Sequence, residues 1–368
     1  MGAAQRGWLV AVLALAAAQR SILAAPPRNE DVAIYVLSTA KDAWVNSTYT
    51  EELHWIRQRA MPALRTWGRG FSVVYFVVEA AFAQTAGGRA CDAVAENVLR
   101  CPRLGGASFL LANCTAEYRG SGPCCKCDAG LAHAARGSAS WAAFADDDVY
   151  FDVAALGAAL APLSPAEPLV AVPDFSRRRP PFKASKACLR GMKHSFWAQP
   201  AILSRGALDR ALPAFDAGGV EAECALFDVS HEGGLGVLLW SLGVEPVGMR
   251  EPDSFIRDAR RVPGLVLSNP PPPPNRTKRN VFFTRKPLAA MNFRPIAIHR
   301  AGRGKAGYPT FFEIEAAIAA ADARNALPNM ALARRTDPAW LRPPPTGPYA
   351  PFAPGDCNPD SGRVSHES

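Results

Sequence analysis

Residues 31–38 (DVAIYVLS) and 71–78 (FSVVYFVV) are short, apolar, β-branched runs, and the stretch between them has a different period. Within 49–67 (YTEELHWIRQRAMPALRTW) the apolar positions Leu53, Ile56, Ala60, Leu64 and Trp67 recur in steps of three and four, which is one face of a helix. Pro62 interrupts that face; it has no N–H to give, so it predicts a kink or a fresh helix start. Two buried strands joined through a helix make a parallel crossover with a right-handed connection. This unit constrains the fold more than any other part of the chain.

The alternation continues downstream. Strands are predicted at 107–112 (ASFLLA), 140–145 (SWAAFA) and 168–173 (PLVAVP). Helices are predicted from a cysteine-dense loop to about Ala135, over 153–161, and over 234–243 (GLGVLLWSLG). Residues 195–203 (SFWAQPAIL) read as a strand entering a helix at Ser204-Arg205-Gly206. Residues 81–107 carry no clear period. Strands alternating with helices over 31–245 indicate an α/β fold, Rossmann-like, with a mixed, largely parallel sheet flanked by helices. Hydrophobic residues are 49% of the chain, enough to bury the core of one large domain.

The ends differ from this middle. Residues 8–18 (WLVAVLALAAA) follow Arg6 and are apolar throughout. Eleven residues are too few for a bilayer, which needs about 20. Ala16-Ala17-Ala18 offers a cleavage site, so residues 1–27 read as a signal peptide, or as a short uncleaved signal anchor. The 33 prolines cluster late, with an unbroken run at 270–274 and a Pro-, Gly- and Ser-rich stretch from about 341. The expected organisation is a leader or single N-terminal membrane anchor over 1–27, a catalytic domain over 28–302, and a short helix with a flexible Pro-rich tail over 303–368.

Eight of the nine cysteines fall between Cys91 and Cys224. Cys114, Cys124, Cys125 and Cys127 are too cramped for a two-plus-two zinc site, so disulfides are the better reading. Sequons at Asn46-Ser47-Thr48, Asn113-Cys114-Thr115 and Asn275-Arg276-Thr277 agree with a lumenal chain. The expected location is the lumen of the secretory pathway, Golgi or ER, as a type II membrane protein or a secreted one. The net charge of +8 suits an anionic ligand. Its basic runs, such as Arg177-Arg178-Arg179, are short enough to be solvated loops, and no nucleic-acid partner is expected.

Asp146-Asp147-Asp148 follows the strand at 140–145 directly. Ligands of open α/β sheets gather at the carboxyl ends of strands. Three adjacent carboxylates repel one another unless a cation or hydrogen-bond donors offset the charge. A hard divalent cation, Mn2+ or Mg2+, does so, and bridges to a departing diphosphate. An exposed acidic loop is the bland alternative. A calcium loop is a weaker rival, because the mid-loop glycine and distant Glu of an EF-hand are absent.

Residues 141–151 (WAAFADDDVYF) resemble the signature of the Fringe-like beta-1,3-glycosyltransferases, a group that includes the core 1 galactosyltransferases. Residues 64–79 (LRTWGRGFSVVYFVVE) are similar to the family's Thr-Trp block. Residues 113–126 (NCTAEYRGSGPCCK) are similar to its Cys…Cys-Lys segment. Residues 196–208 (FWAQPAILSRGAL) are similar to its aromatic segment leading into Ser-Arg. Residues 231–244 (HEGGLGVLLWSLGV) are similar to its acidic-x-x-Leu-Gly helix. The blocks keep the family's order over about residues 31–300.

The resemblance implies a GT-A-type fold and a metal-dependent, inverting transfer of a hexose or N-acetylhexosamine from a UDP-sugar to a hydroxyl of a glycan or glycoprotein. It implies Asp148 as a direct metal ligand and Asp146 as a contact to metal or nucleotide sugar, with Asp147 between them. It places Ser38 and Thr39 near the uridine, Glu232 as general base, and His299 as the late histidine of the metal site. Read from the residues alone, Glu232 is also a first-turn acid facing a helix dipole. His231 and Asp228 are alternative bases, and His299 is equally a structural histidine. One departure stands out: Ala198-Gln199-Pro200 replaces the family's Gly-Gly-Ala-Gly run, which leaves the acceptor open and admits a second reading, a catalytically inactive Fringe-like protein that binds glycans or partners. Cys188 and Cys224 flank that acceptor-side segment and are expected to pair.

Overall fold

The computed structural model describes residues 31–38, 59–115, 121–172, 200–249, 255–256, 296–298, 310–325 and 332–334. The strands are β1 (Val32–Leu37), β2 (Val73–Glu79), β3 (Asp92–Ala95), β4 (Val98–Cys101), β5 (Ala107–Ala112), β6 (Trp141–Asp146), β7 (Tyr150–Phe151), β8 (Leu169–Val172), β9 (Ala201–Ser204), β10 (Glu245–Met249), β11 (Phe255–Ile256), β12 (Ala297–Ile298) and β13 (Leu332–Arg334). The helices are α1 (Met61–Arg65), α2 (Ala86–Arg89), α3 (Ser121–Arg136), α4 (Val153–Leu160), α5 (Arg205–Asp216), α6 (Gly219–Phe227), α7 (His231–Ser241) and α8 (Phe311–Asn325).

Ten strands form one sheet in the order β13-β10-β8-β9-β6-β1-β2-β5-β4-β3. Its centre, β6-β1-β2-β5, is parallel throughout. All six residues of β1 are buried, as expected of a strand covered on both faces. Val32, Ile34 and Val36 pack with Ala63, Leu156, Phe311 and Ile314 on one face. Ala33, Tyr35 and Leu37 pack with Leu131, Leu208, Val220 and Leu235 on the other. Alternate side chains of one strand thus feed two cores. The molecule is α/β, with a mixed sheet flanked by helices and compatible with a Rossmann-like fold.

The sheet is less parallel than the strand–helix alternation suggests. β9 runs antiparallel to both β6 and β8, and β13 runs antiparallel to β10. Strand direction is set by long-range pairing, which the local pattern does not encode. Residues 81–107, which carried no period, hold an antiparallel hairpin of β3 and β4 closed by the Cys91–Cys101 disulfide. Every residue of β3 is exposed, so no buried face was there to be read. Pro62 sits in the first turn of α1, where its missing N–H is harmless; residues 49–58 lie outside the described residues.

The expected Cys188–Cys224 pairing is corrected. Cys224 of α6 bonds Cys124 of α3 across a sequence separation of 100, and Cys188 lies outside the described residues. The physical reason is helix docking. Asp128, one turn beyond Cys124, accepts hydrogen bonds from Val220 N (3.0 Å) and Glu221 N (2.9 Å) at the start of α6. The two helices are thereby held side by side, and their cysteines meet. Cys114 pairs with Cys125, and Cys127 is a buried free thiol whose pKa burial pushes well up. These disulfides are consistent with an oxidising, secretory compartment. Among the described residues no helix is long and apolar enough to cross a membrane, and residues 1–30 lie outside them.

Candidate metal centre

From β1 the chain moves through β2 to β5 on one side, and only then returns to β6 on the other. Neighbouring strands that lead away in opposite directions leave a crevice between their carboxyl ends. Here those ends are Leu37 of β1 and Asp146 of β6, which are register partners. Ser38 follows one, and Asp147 and Asp148 follow the other. Val149 N donates to Asp146 O at 3.2 Å, which turns the chain sharply and fans the three carboxylates apart.

Asp146 points to the start of α7. Its Oδ1 lies 3.3 Å from His231 Nε2. Glu232 is the next residue, in the first turn of α7, and Ser230 Oγ donates to its Oε2 at 3.2 Å. One ligand atom from each of Asp146, His231 and Glu232 lies within 4.8 Å of the others. Two carboxylates and an imidazole are a donor set that suits Mn2+. His231 is buried, and burial by itself disfavours the charged ring. The charge and hydrogen bond of Asp146, together with Glu232, outweigh that and hold its pKa above the ordinary value. The ring sits beside the two acids, in a place that a divalent cation would also fit.

Asp147 has other work. Ser38 Oγ donates to its Oδ2 at 3.0 Å, and the Arg59 guanidinium pairs with its Oδ1. The Ser38 carbonyl in turn accepts a hydrogen bond from Lys126 Nζ at 2.9 Å, and Lys126 pairs with Glu79 at the end of β2. Lys126 and Glu79 are each 1% exposed, so this is a fully buried ion pair beneath the crevice. Burial pulls the Lys126 pKa down, against the hydrogen bond and charge of Glu79. A continuous chain of contacts, Glu79–Lys126–Ser38–Asp147–Arg59, ties β2, α3, β1, the acidic turn and the segment before α1 together.

The predicted site residues therefore separate. Asp146 and Glu232 come together, with His231 as their third member. Ser38 and Asp147 bind each other. Asp148 is 2% exposed and is not part of the Asp146–His231–Glu232 cluster. Asp228 is exposed and left-handed (φ 51°) at the C-cap of α6. Thr39 and His299 lie outside the described residues. Ile298, next to His299 in sequence, pairs with Tyr150, two residues past Asp148. The sequence pattern alone assigns no role to Lys126, Glu79 or Arg59. The available signal was Glu79 itself, an acid that ends an apolar parallel strand just as Asp146 does.

No family model matches the chain, and no curated protein matches it either.

Proposed function

We propose that the chain is a metal-dependent inverting glycosyltransferase of GT-A type, taking a hexose or N-acetylhexosamine from a UDP-sugar to a hydroxyl of a glycan or glycoprotein in the secretory lumen. The observation that carries this reading is the Asp146–His231–Glu232 cluster at the strand-order reversal between β1 and β6. Asp146 and His231 would hold Mn2+, with Mg2+ as the harder alternative. Asp148 and His299 are the further ligand candidates that the family resemblance supplies. The pairing of Ile298 with Tyr150 supports His299, since it keeps that part of the chain beside the acidic turn.

When bound, the cation would offset charge on the diphosphate as it leaves. Glu232 acts as general base. The acceptor oxygen bonds to the anomeric carbon as its proton passes to Glu232. The bond from that carbon to the diphosphate oxygen breaks, and UDP leaves from the opposite face, inverting the centre. Arg59 lies at the same crevice and fixes the orientation of Asp147.

The second reading is a catalytically inactive protein that binds glycans or partners. Ala198-Gln199-Pro200, in place of a glycine run on the acceptor side, favours it. UDP-sugar hydrolysis with and without Mn2+ separates the two. Turnover that needs Mn2+ and is lost in Asp146→Asn supports the enzyme. Mn2+-dependent UDP binding without turnover supports the inactive relative. Absence of both removes the metal–nucleotide reading altogether.

A further inference from the structure

The turn after β5 carries a feature that the metal centre does not use. Asn113-Cys114-Thr115 has the acceptor pattern for N-linked glycosylation. β5 ends at Ala112, and Cys114 N donates to Ala112 O at 2.8 Å. The backbone therefore turns over three residues, with Asn113 at the tip. Asn113 and Thr115 are both exposed. Cys114, between them, is bonded to Cys125 in the first turns of α3, so the segment matures where thiols are oxidised. The other two sequons, at Asn46 and Asn275, lie outside the described residues.

We propose that Asn113 carries an N-linked glycan. The donor class is a lipid-diphosphate oligosaccharide, and the catalyst is the membrane-bound oligosaccharyl transferase of the compartment. The Asn113 amide nitrogen bonds to the anomeric carbon of the oligosaccharide and gives up one proton. The carbon–oxygen bond to the diphosphate breaks, and the lipid diphosphate leaves with the bonding pair. Thr115 supplies the hydroxyl of the recognition sequence.

Cys114 makes the order of events matter. The Cys114–Cys125 bond closes a loop with a sequence separation of 11 and pins the turn against α3. Before closure the segment is free to adopt the shape an enzyme needs; afterwards it is held. Attachment therefore precedes disulfide closure, and reductant present during synthesis raises occupancy at Asn113. Because β1, β2, β5 and β6 are parallel, the glycan stands on the same sheet edge as Ser38 and Asp146. Two strand spacings of about 4.8 Å each separate β5 from β1, so the attachment point flanks the crevice.

This inference does not depend on the transferase reading, and its test is independent. The full chain is expressed in a eukaryotic secretory host. Glycans are released with a peptide N-glycosidase in heavy-oxygen water, and the peptide holding residue 113 is sequenced by mass spectrometry. The expected result is a heavy-oxygen aspartate at 113 in most secreted chains, and its loss in Thr115→Ala, which leaves Cys114 and Cys125 in place. An unmodified Asn113 in secreted protein with the Cys114–Cys125 bond intact overturns the proposal. So does the same label in a sample that never met the glycosidase, a control that needs no variant.

Discussion

His231 Nε2 lies 3.3 Å from Asp146 Oδ1, and this contact joins the N-terminus of α7 to the carboxyl end of β6. The two groups come from different elements, so anything that bridges them ties α7 to β6. A bound cation should therefore raise global stability as well as support turnover. At a concentration 100 times its Kd, a ligand specific for the folded state adds about 2.7 kcal/mol. Mn2+ is expected to raise the melting temperature, EDTA to reverse the rise, and Asp146→Asn or His231→Ala to abolish it. Differential scanning fluorimetry across a Mn2+ titration makes the measurement.

The same contact predicts opposite pH dependences with and without metal. Burial opposes the charged ring, but Asp146 and Glu232 leave the His231 pKa raised overall. A raised folded-state pKa means that the pair stabilises the metal-free protein fully below the unfolded value of about 6.5, and that this contribution is lost as pH rises through the folded value. Metal must displace that proton, so Mn2+ affinity should rise over the same interval. Calorimetry in two buffers of different ionisation enthalpy should detect proton release on Mn2+ binding. His231→Gln should remove both the release and the opposing trends.

Glu232 is close enough to Asp146 and His231 to be a ligand, and the proposed mechanism makes it the base. Glu232→Gln separates the roles, since it keeps size and hydrogen bonding but cannot take a proton. As base, its loss should lower kcat by about 10²–10⁴-fold while Mn2+ affinity stays near the parent value. A parallel fall in Mn2+ affinity would assign it to the metal instead. Steady-state kinetics paired with Mn2+ titration of each protein decide this.

The Cys124–Cys224 bond is expected to be a major contributor to stability. It closes a loop of sequence separation 100, for which the chain-entropy estimate is about 4.7 kcal/mol. The double substitution Cys124→Ala/Cys224→Ala should lower the urea midpoint accordingly. Peptide mapping without reduction should recover Cys124 joined to Cys224, and no peptide joining Cys188 to Cys224.

What could be read from sequence was local and periodic. β1, β2, β5, β6 and α4 were legible because buried runs and helical steps repeat within a few residues. The acidic triplet was legible because it ends such a run. β3 was not, since a strand exposed on all its residues leaves no apolar signature. The antiparallel direction of β9 and the partner of Cys224 were not, because both depend on which distant elements dock. His231 was weighed only as an alternative base, since its role needs Asp146 beside it, 85 residues away in sequence (231 − 146). The buried cation beneath the crevice was hidden for the same reason.

That cation supports the last prediction. Lys126 bonds the Ser38 carbonyl and pairs with Glu79, and Ser38 holds Asp147. Breaking a buried ion pair by removing one partner typically costs about 3–5 kcal/mol, because the other charge stays desolvated. Replacing both partners with apolar residues is often neutral or stabilising. Lys126→Met should thus be strongly destabilised, and Lys126→Met/Glu79→Leu should regain much of the loss. If the pair served stability alone, the double variant would bind Mn2+ like the parent. Here it should not, because the Ser38 carbonyl has lost its donor and the acidic turn has lost the anchor that leaves Asp146 facing α7. The expected result is a double variant with a near-parental urea midpoint and Mn2+ affinity weakened by about 10–100-fold, the range seen when groups that orient metal ligands are removed. Urea unfolding beside Mn2+ titration by electron paramagnetic resonance reads both quantities, and parental Mn2+ affinity in a folded double variant would show that Lys126 does not position the site.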